Sequence, residues 1–136
     1  MGLAERRAIK DFQDNHLPAL LADLRRHAGF DVPVEIAWDQ LAKPDYASSY
    51  ADNWKKVYFQ PVIDALADVT RDQMGKDALR AGLKQIVLCN SNDTYTADYA
   101  VTFADGVLRV DHDPGTNVDY VEDRTKAAIR VLEKGL

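Results

Sequence analysis

A single cysteine, Cys89, rules out an internal disulfide framework, and one lone thiol fits a reducing compartment. The chain has no apolar run approaching the roughly 18 residues that a membrane-spanning helix needs. Its first residues, Met-Gly-Leu-Ala-Glu-Arg-Arg, are charged at once and hold no apolar signal core, so a cytoplasmic location is expected. Position 6 is Arg where a myristoylation signal would carry Ser or Thr. Gly-rich phosphate loops, Cys-x-x-Cys pairs, His-Glu-x-x-His and Gly-x-Ser-x-Gly are all missing. That counts against the commonest nucleotide, zinc and hydrolase classes. Positive charge is almost missing from residues 85–123, where Arg109 stands alone against Asp93, Asp98, Asp105, Asp111, Asp113, Asp119, Glu122 and Asp123. This stretch sums to −8 + 1 = −7 while the whole chain is −5, so the other residues sum to +2. The acidity belongs to one segment. It points away from nucleic acid and toward a basic partner, a cation or simple solubility.

What is present describes a folded domain. The 136 residues are 46% hydrophobic and 29% charged, which suits one α+β domain with one ordinary core. Residues 4–28 place Ala8, Ile9, Phe12, His16, Leu20, Leu21 and Leu24 at helical spacing, and Gly29 is placed to end that helix. Pro18 falls inside it. Because the apolar phase runs straight through, one helix kinked at Pro18 is expected in preference to a second helix capped by Asn15. Val32–Trp38 alternates as a half-buried strand, with Pro33 keeping it near a strand start or an edge. Lys43-Pro44-Asp45 breaks the chain. Helical pattern resumes over 46–73, divided by Pro61, and a short helix runs from Lys76 to Ala81 between Gly75 and Gly82.

From Lys84 the period becomes two. Gln85–Cys89 reads as an apolar strand, Tyr95–Phe103 as an alternating one, and Asp105-Gly106 as a hairpin turn leading into Val107–Asp111. Residues 95–111 should then form a hairpin that buries Tyr95, Tyr99, Val101 and Phe103 and leaves Asp98 in solvent. Asp119 and Glu122 have capping-box spacing before a last helix. The expected order is α-β-α-α-β-β-β-α: an antiparallel sheet of about four strands with helices on one face.

Three places carry candidate chemistry. Tyr46, Tyr50, Trp54 and Tyr58 recur every four residues, a slanted stripe suited to anchoring a partner or to the seam between this helix and the rest of the core. Asp111-His112-Asp113 is the nearest thing to a metal triplet. On a strand His112 would point away from the two aspartates, so the triplet requires the strand to end by 112, and a solvated turn explains the same residues. Cys89 closes an apolar strand with only His112 as an imaginable base, which makes it a small buried hydrophobe. Glu35 and Trp38 sit on the first strand, and His16 and His27 lie eleven residues apart on the first helix, too far to share a metal.

The expected function is that of a small non-enzymatic binding protein, a neutralising or adaptor module for a basic protein, or a homodimer. Tyr46, Tyr50, Trp54, Tyr58, Asp98, Asp111 and Asp113 are its candidate contacts. The alternative is a metal-dependent hydrolase or cation-binding protein using Asp111, His112 and Asp113. No cofactor, nucleic acid or membrane contact is expected.

Overall fold

A computed structural model describes residues 1–136. α1 (Leu3–Asn15) and α2 (Leu17–Ala28) are two helices, correcting the single kinked helix read from the unbroken apolar phase. The chain breaks at His16, whose φ is −124°, and Pro18 takes the first turn of α2, where its missing N–H deprives no carbonyl. Gly29 ends α2 at φ 85°, its N–H donating to the Arg25 carbonyl at 2.9 Å.

The first strand, β1 (Val34–Ile36), is shorter than its alternating pattern, because Trp38 opens a one-turn helix, α3 (Trp38–Leu41). After a 3-10 turn at Ala47–Ser49 the chain stays helical through α4 (Tyr50–Trp54), a π turn (Lys55–Phe59) and α5 (Gln60–Val69). Pro61 therefore does not divide the helix. The Gln60 N–H bonds the Lys55 carbonyl five residues back, and this wider turn accommodates the proline ring. The next rung of that pattern would join Lys56 to residue 61, which has no N–H to give. The Lys56 carbonyl instead accepts from Arg124 Nη2 at 3.1 Å.

α6 (Gln73–Gly82) starts before Gly75, which the sequence offered as a break, because Asp72 caps it by accepting the Gly75 N–H at 2.8 Å. Gly75 lies within this first turn. A Cβ there would fall 1.7 Å from the Val69 carbonyl oxygen, so the close approach of α6 to the end of α5 depends on glycine.

The sheet comprises β1, β2 (Gln85–Cys89), β3 (Val101–Ala104) and β4 (Val107–Asp111) in the order β1-β2-β4-β3. It is mixed, which corrects the antiparallel expectation: β1 with β2 and β2 with β4 are parallel, and only β3 with β4 is antiparallel. Two connections cause this. α3 to α6 carry the chain back before β2 begins, a crossover that makes β2 parallel to β1. The hairpin turning at Asp105 and Gly106 (φ 53° and 79°) then docks on β2 through its second strand.

Residues 95–100 do not extend that hairpin. They form a loop and one helical turn, α7 (Ala97–Ala100), so the alternation of Tyr95, Ala97 and Tyr99 is accidental. Val101 is buried and Phe103 half-buried, with Asp98 exposed, but Tyr95 and Tyr99 are exposed and the expectation for them is corrected.

One row of the sheet, including Ile86, Leu88, Leu108, Val110 and Val101, joins a continuous core with Phe12, Leu24, Trp54, Leu66 and Leu132. The opposite row presents Glu35, Arg109 and Thr102 to solvent. The last helix, α8 (Val121–Gly135), begins without a side-chain cap. Asp119 pairs with Lys56 at 2.9 Å and Glu122 with Lys126 at 3.1 Å, so the capping-box spacing goes unused. No helix is long and apolar enough to cross a membrane.

Candidate functional site

The aromatic stripe lies in the core. Tyr50, Trp54 and Tyr58 are buried, and only Tyr46 remains exposed. Tyr50 stacks on Trp54 with centroids 4.6 Å apart, and Phe12 meets Trp54 edge-on at 5.1 Å. Their polar atoms fasten loops: Trp54 Nε1 donates to the Leu41 carbonyl at 3.1 Å, Tyr50 Oη to that of Lys43 at 2.5 Å, and Tyr58 Oη to that of His112 at 2.6 Å. The stripe holds Lys43 and the end of β4 in place. Three of its four rings have no area to offer a partner.

The Asp111-His112-Asp113 triplet diverges. β4 ends at Asp111, whose carboxylate shares the open face with Cys89 and accepts from Ser91 through its N–H (2.7 Å) and its hydroxyl. His112 turns into the core, with Nδ1 2.6 Å from the Asp113 carbonyl and Nε2 buried without a partner. Burial lowers its pKa, with the nearby Arg124 charge adding to the effect and Asp113 opposing it.

Asp113 is also buried, with Lys43 Nζ 2.5 Å from Oδ1 and the Thr116 hydroxyl on Oδ2. Burial alone would raise this carboxyl, but Lys43, Thr116 and the Gly115 N–H outweigh it and hold the pKa below the usual aspartate range. Asp93 approaches the same ammonium at 3.7 Å. No three His, Cys, Asp or Glu side chains converge as a metal set. Each of the three residues is committed to an internal contact.

The acidic segment is matched in space by cations from outside it. Asp93 and Asp113 meet Lys43, Asp98 meets Arg130 at 3.1 Å, Asp119 meets Lys56 and Glu122 meets Lys126. Apart from the buried pair of Asp113 and Lys43 these are surface pairs worth little each, yet together they turn a uniform acidic field into a mosaic. Asp123 has no cation within 4.0 Å and lines a cleft of about 450 Å³ between residues 95–98 and the first half of α8. Tyr95 and Tyr120 also line it, and Tyr99 stands close by on α7; the three are 57%, 58% and 82% exposed.

Arg124 closes the back of the cleft. It is 1% exposed and lacks a carboxylate partner, and its guanidinium donates to the carbonyls of Asn117 (2.7 Å), Val118 (2.6 Å) and Lys56 (3.1 Å). Burial lowers its pKa.

No family model, curated protein or solved structure matches this chain. Its function has to be argued from its own residues.

Sequence reasoning passed over Lys43, Arg124 and Tyr120, and read Tyr95 and Tyr99 as buried. Arg124 had a signal: Val121, Arg124, Ala128 and Leu132 step by three, four and four, so a cation occupies an apolar stripe. Lys43 had none, because its partners come from loops 50 and 70 residues away.

Cys89 is 6% exposed and its thiol pKa is raised, first by burial and further by Asp111, against the opposing Arg109 guanidinium 3.9 Å from Sγ. Native protein should react with iodoacetamide at neutral pH more slowly than a free thiol. Cys89→Ala should cost about 1–2 kcal/mol as a small truncation in a packed strand. Labelling faster than the free thiol would mark an activated nucleophile.

Proposed function

We propose that this protein is a non-catalytic binding module whose partner is a basic protein segment. The partner-facing surface is the cleft between residues 95–98 and α8. The observation that carries this reading is that Tyr95 and Tyr120, both exposed, line one concave surface that also holds an unpaired Asp123. Lys126 and the pair of Asp98 and Arg130 stand on its wall, and Tyr99 is exposed on the adjoining turn of α7. Exposed tyrosines are costly to leave in water and supply contact area with little loss of side-chain freedom, which is how interface anchors work. Asp98, Asp119 and Glu122 sit beside them in exposed pairs that a basic partner can exchange at small cost. The strand ends support the same reading, because Asp111, His112, Asp113 and Cys89 are satisfied internally or buried and no acid-base set is poised there.

The test is affinity capture from lysate of the source cells with the wild type and a Tyr95→Ala, Tyr99→Ala, Tyr120→Ala variant. A partner retained by the wild type should be lost by the variant. Asp98→Asn with Asp123→Asn should slow its association at low salt and leave its lifetime nearly unchanged, since rim charges mainly steer encounter. Equal retention by the tyrosine variant would sink the assignment of the surface. A concentration-dependent dimer in sedimentation that the same variant abolishes would make the partner a second copy of this chain.

A further inference from the structure

The positive charge left over by the acidic segment is also localised. Where α2 ends against the start of α6, Arg26, His27, Thr70, Lys76 and Arg80 line a cleft of about 440 Å³ with a single apolar lining residue, Ala28. Arg25 borders the neighbouring hollow, which shares Arg26 and Gly29 with this one. Lys76, Arg80 and Arg25 have no carboxylate within 4.0 Å, in contrast to Lys43, Lys56, Lys126 and Arg130 on the acidic side, while Arg26 and His27 both lie against the Asp23 carboxylate. Asp77 is the one acid in the lining, and it accepts from Gln73 Nε2 at 2.8 Å.

Several of these groups are fixed before any ligand arrives. Arg80 donates through Nη1 to the Gly29 carbonyl at 3.2 Å, and its guanidinium lies 6.0 Å from the centre of the Phe30 ring. Those contacts hold the planar group in place and leave further N–H donors uncommitted. His27 Nδ1 is 2.9 Å from the Asp23 carbonyl, which puts the proton on Nδ1 and leaves Nε2 free. The single Thr70 hydroxyl proton is shared between the Leu66 carbonyl at 2.7 Å and the His27 carbonyl at 3.1 Å. With Arg80, which bonds the Gly29 carbonyl, it partly covers carbonyls at the end of α2 that would otherwise repel an anion.

From this arrangement we infer that the α2–α6 cleft binds the phosphate group of a small soluble anion. Arg80 and Lys76 are its main donors, with Arg26 and His27 at its edge. A polar hollow with net positive charge and one preset guanidinium suits a compact dianion, because the fork of Arg matches two phosphate oxygens and little ordering remains to be done. The site lies apart from the tyrosine cleft and does not depend on the function proposed for it.

The experiment titrates inorganic phosphate and, separately, pyrophosphate into the full chain at constant ionic strength, following backbone amide shifts. Chloride serves as the control, and cosedimentation with vesicles containing a phosphoinositide forms a second arm. The expected result is saturable movement of Gly29, Thr70 and Lys76 with pyrophosphate, weakened at least tenfold by Lys76→Glu. Lys76 is exposed, so that variant should fold, and Arg80→Gln provides an independent second. Shifts that grow linearly, that chloride reproduces, or that survive both substitutions would overturn the site. Vesicle binding without any response to the free anions would overturn the soluble ligand in favour of a lipid headgroup.

Discussion

Arg124→Met should destabilise the protein by about 3 kcal/mol or more. The side chain can be replaced in volume but not in function. It bonds three backbone carbonyls from two different parts of the chain, Asn117 and Val118 in the loop before α8 and Lys56 in the π turn. Removing it leaves those acceptors facing an apolar group, and each buried acceptor without a donor costs about 1–3 kcal/mol. Relief from burying a charge offsets part of that sum, which is why the estimate stays well below it. Arg124→Lys keeps the charge but has no planar fork to reach three carbonyls, and should recover less than half of the loss. In thermal unfolding the Met variant should melt roughly 10 °C lower. Pro61→Ala supplies an N–H near Lys56, so it should reduce the penalty of Arg124→Met, a coupling that a double-mutant cycle reads directly. A Met variant within 1 kcal/mol of the wild type would mean that the loop and π turn do not need this guanidinium.

The features legible in the sequence were those set by local chemistry. Gly29, Asp105-Gly106 and the apolar row of β2 each act within a few residues, and each is found where its residue type required. Strand direction was not legible, because it depends on which strand of the hairpin meets β2, a choice made by packing over distance. The segment 95–100 shows the limit from the other side. Tyr95, Ala97 and Tyr99 alternate like a strand, but the Tyr99 and Ala100 N–H groups both turn back to the Thr96 carbonyl, and two rings end in solvent. Alternation counts side chains and cannot tell which face has a core beneath it.

The site was less legible for a related reason. The periodic stripe of Tyr50, Trp54 and Tyr58 marks an apolar helix face, and such a face packs inward unless something else already covers the core. Phe12 and Trp38 come from distant elements to meet it, at 5.1 Å and 5.6 Å from Trp54. The exposed tyrosines have no period that reveals a shared surface: Tyr95 and Tyr99 alternate as if buried in a strand but sit on a loop and a single turn, and Tyr120 sits on a helix cap. Net charge misled in the same way: −7 along 85–123 is a property of the chain, while Lys43, Lys56 and Arg130 are neighbours only in space.

Acid should unfold this protein in two stages, with His112 setting the first and Asp113 the second. Both groups have a folded pKa below the unfolded one, so in each case the unfolded chain takes up the proton first as the pH falls. The stability that His112 contributes is complete above its unfolded value of about 6.5 and declines as the pH falls from there through the lowered folded value. That of Asp113 is complete above about 3.9 and is lost below it as the carboxylate held by Lys43 and Thr116 is protonated. His112→Gln should flatten the profile between about pH 5 and 6.5, where an unperturbed histidine titrates, and leave the acid limb intact. Asp113→Ala should do the reverse, and it should also cost about 2–3 kcal/mol at pH 7, because a Lys43 ammonium built against a buried carboxylate loses its nearer counter-ion and keeps only the exposed Asp93 at 3.7 Å. The lower end of that range allows for Lys43, 34% exposed at the side chain, regaining water. Urea midpoints measured from pH 3 to 8 on the three proteins separate the stages. A wild-type profile flat down to pH 4.5 would show that His112 is protonated as readily folded as unfolded, and that the ring is not enclosed by the end of β4.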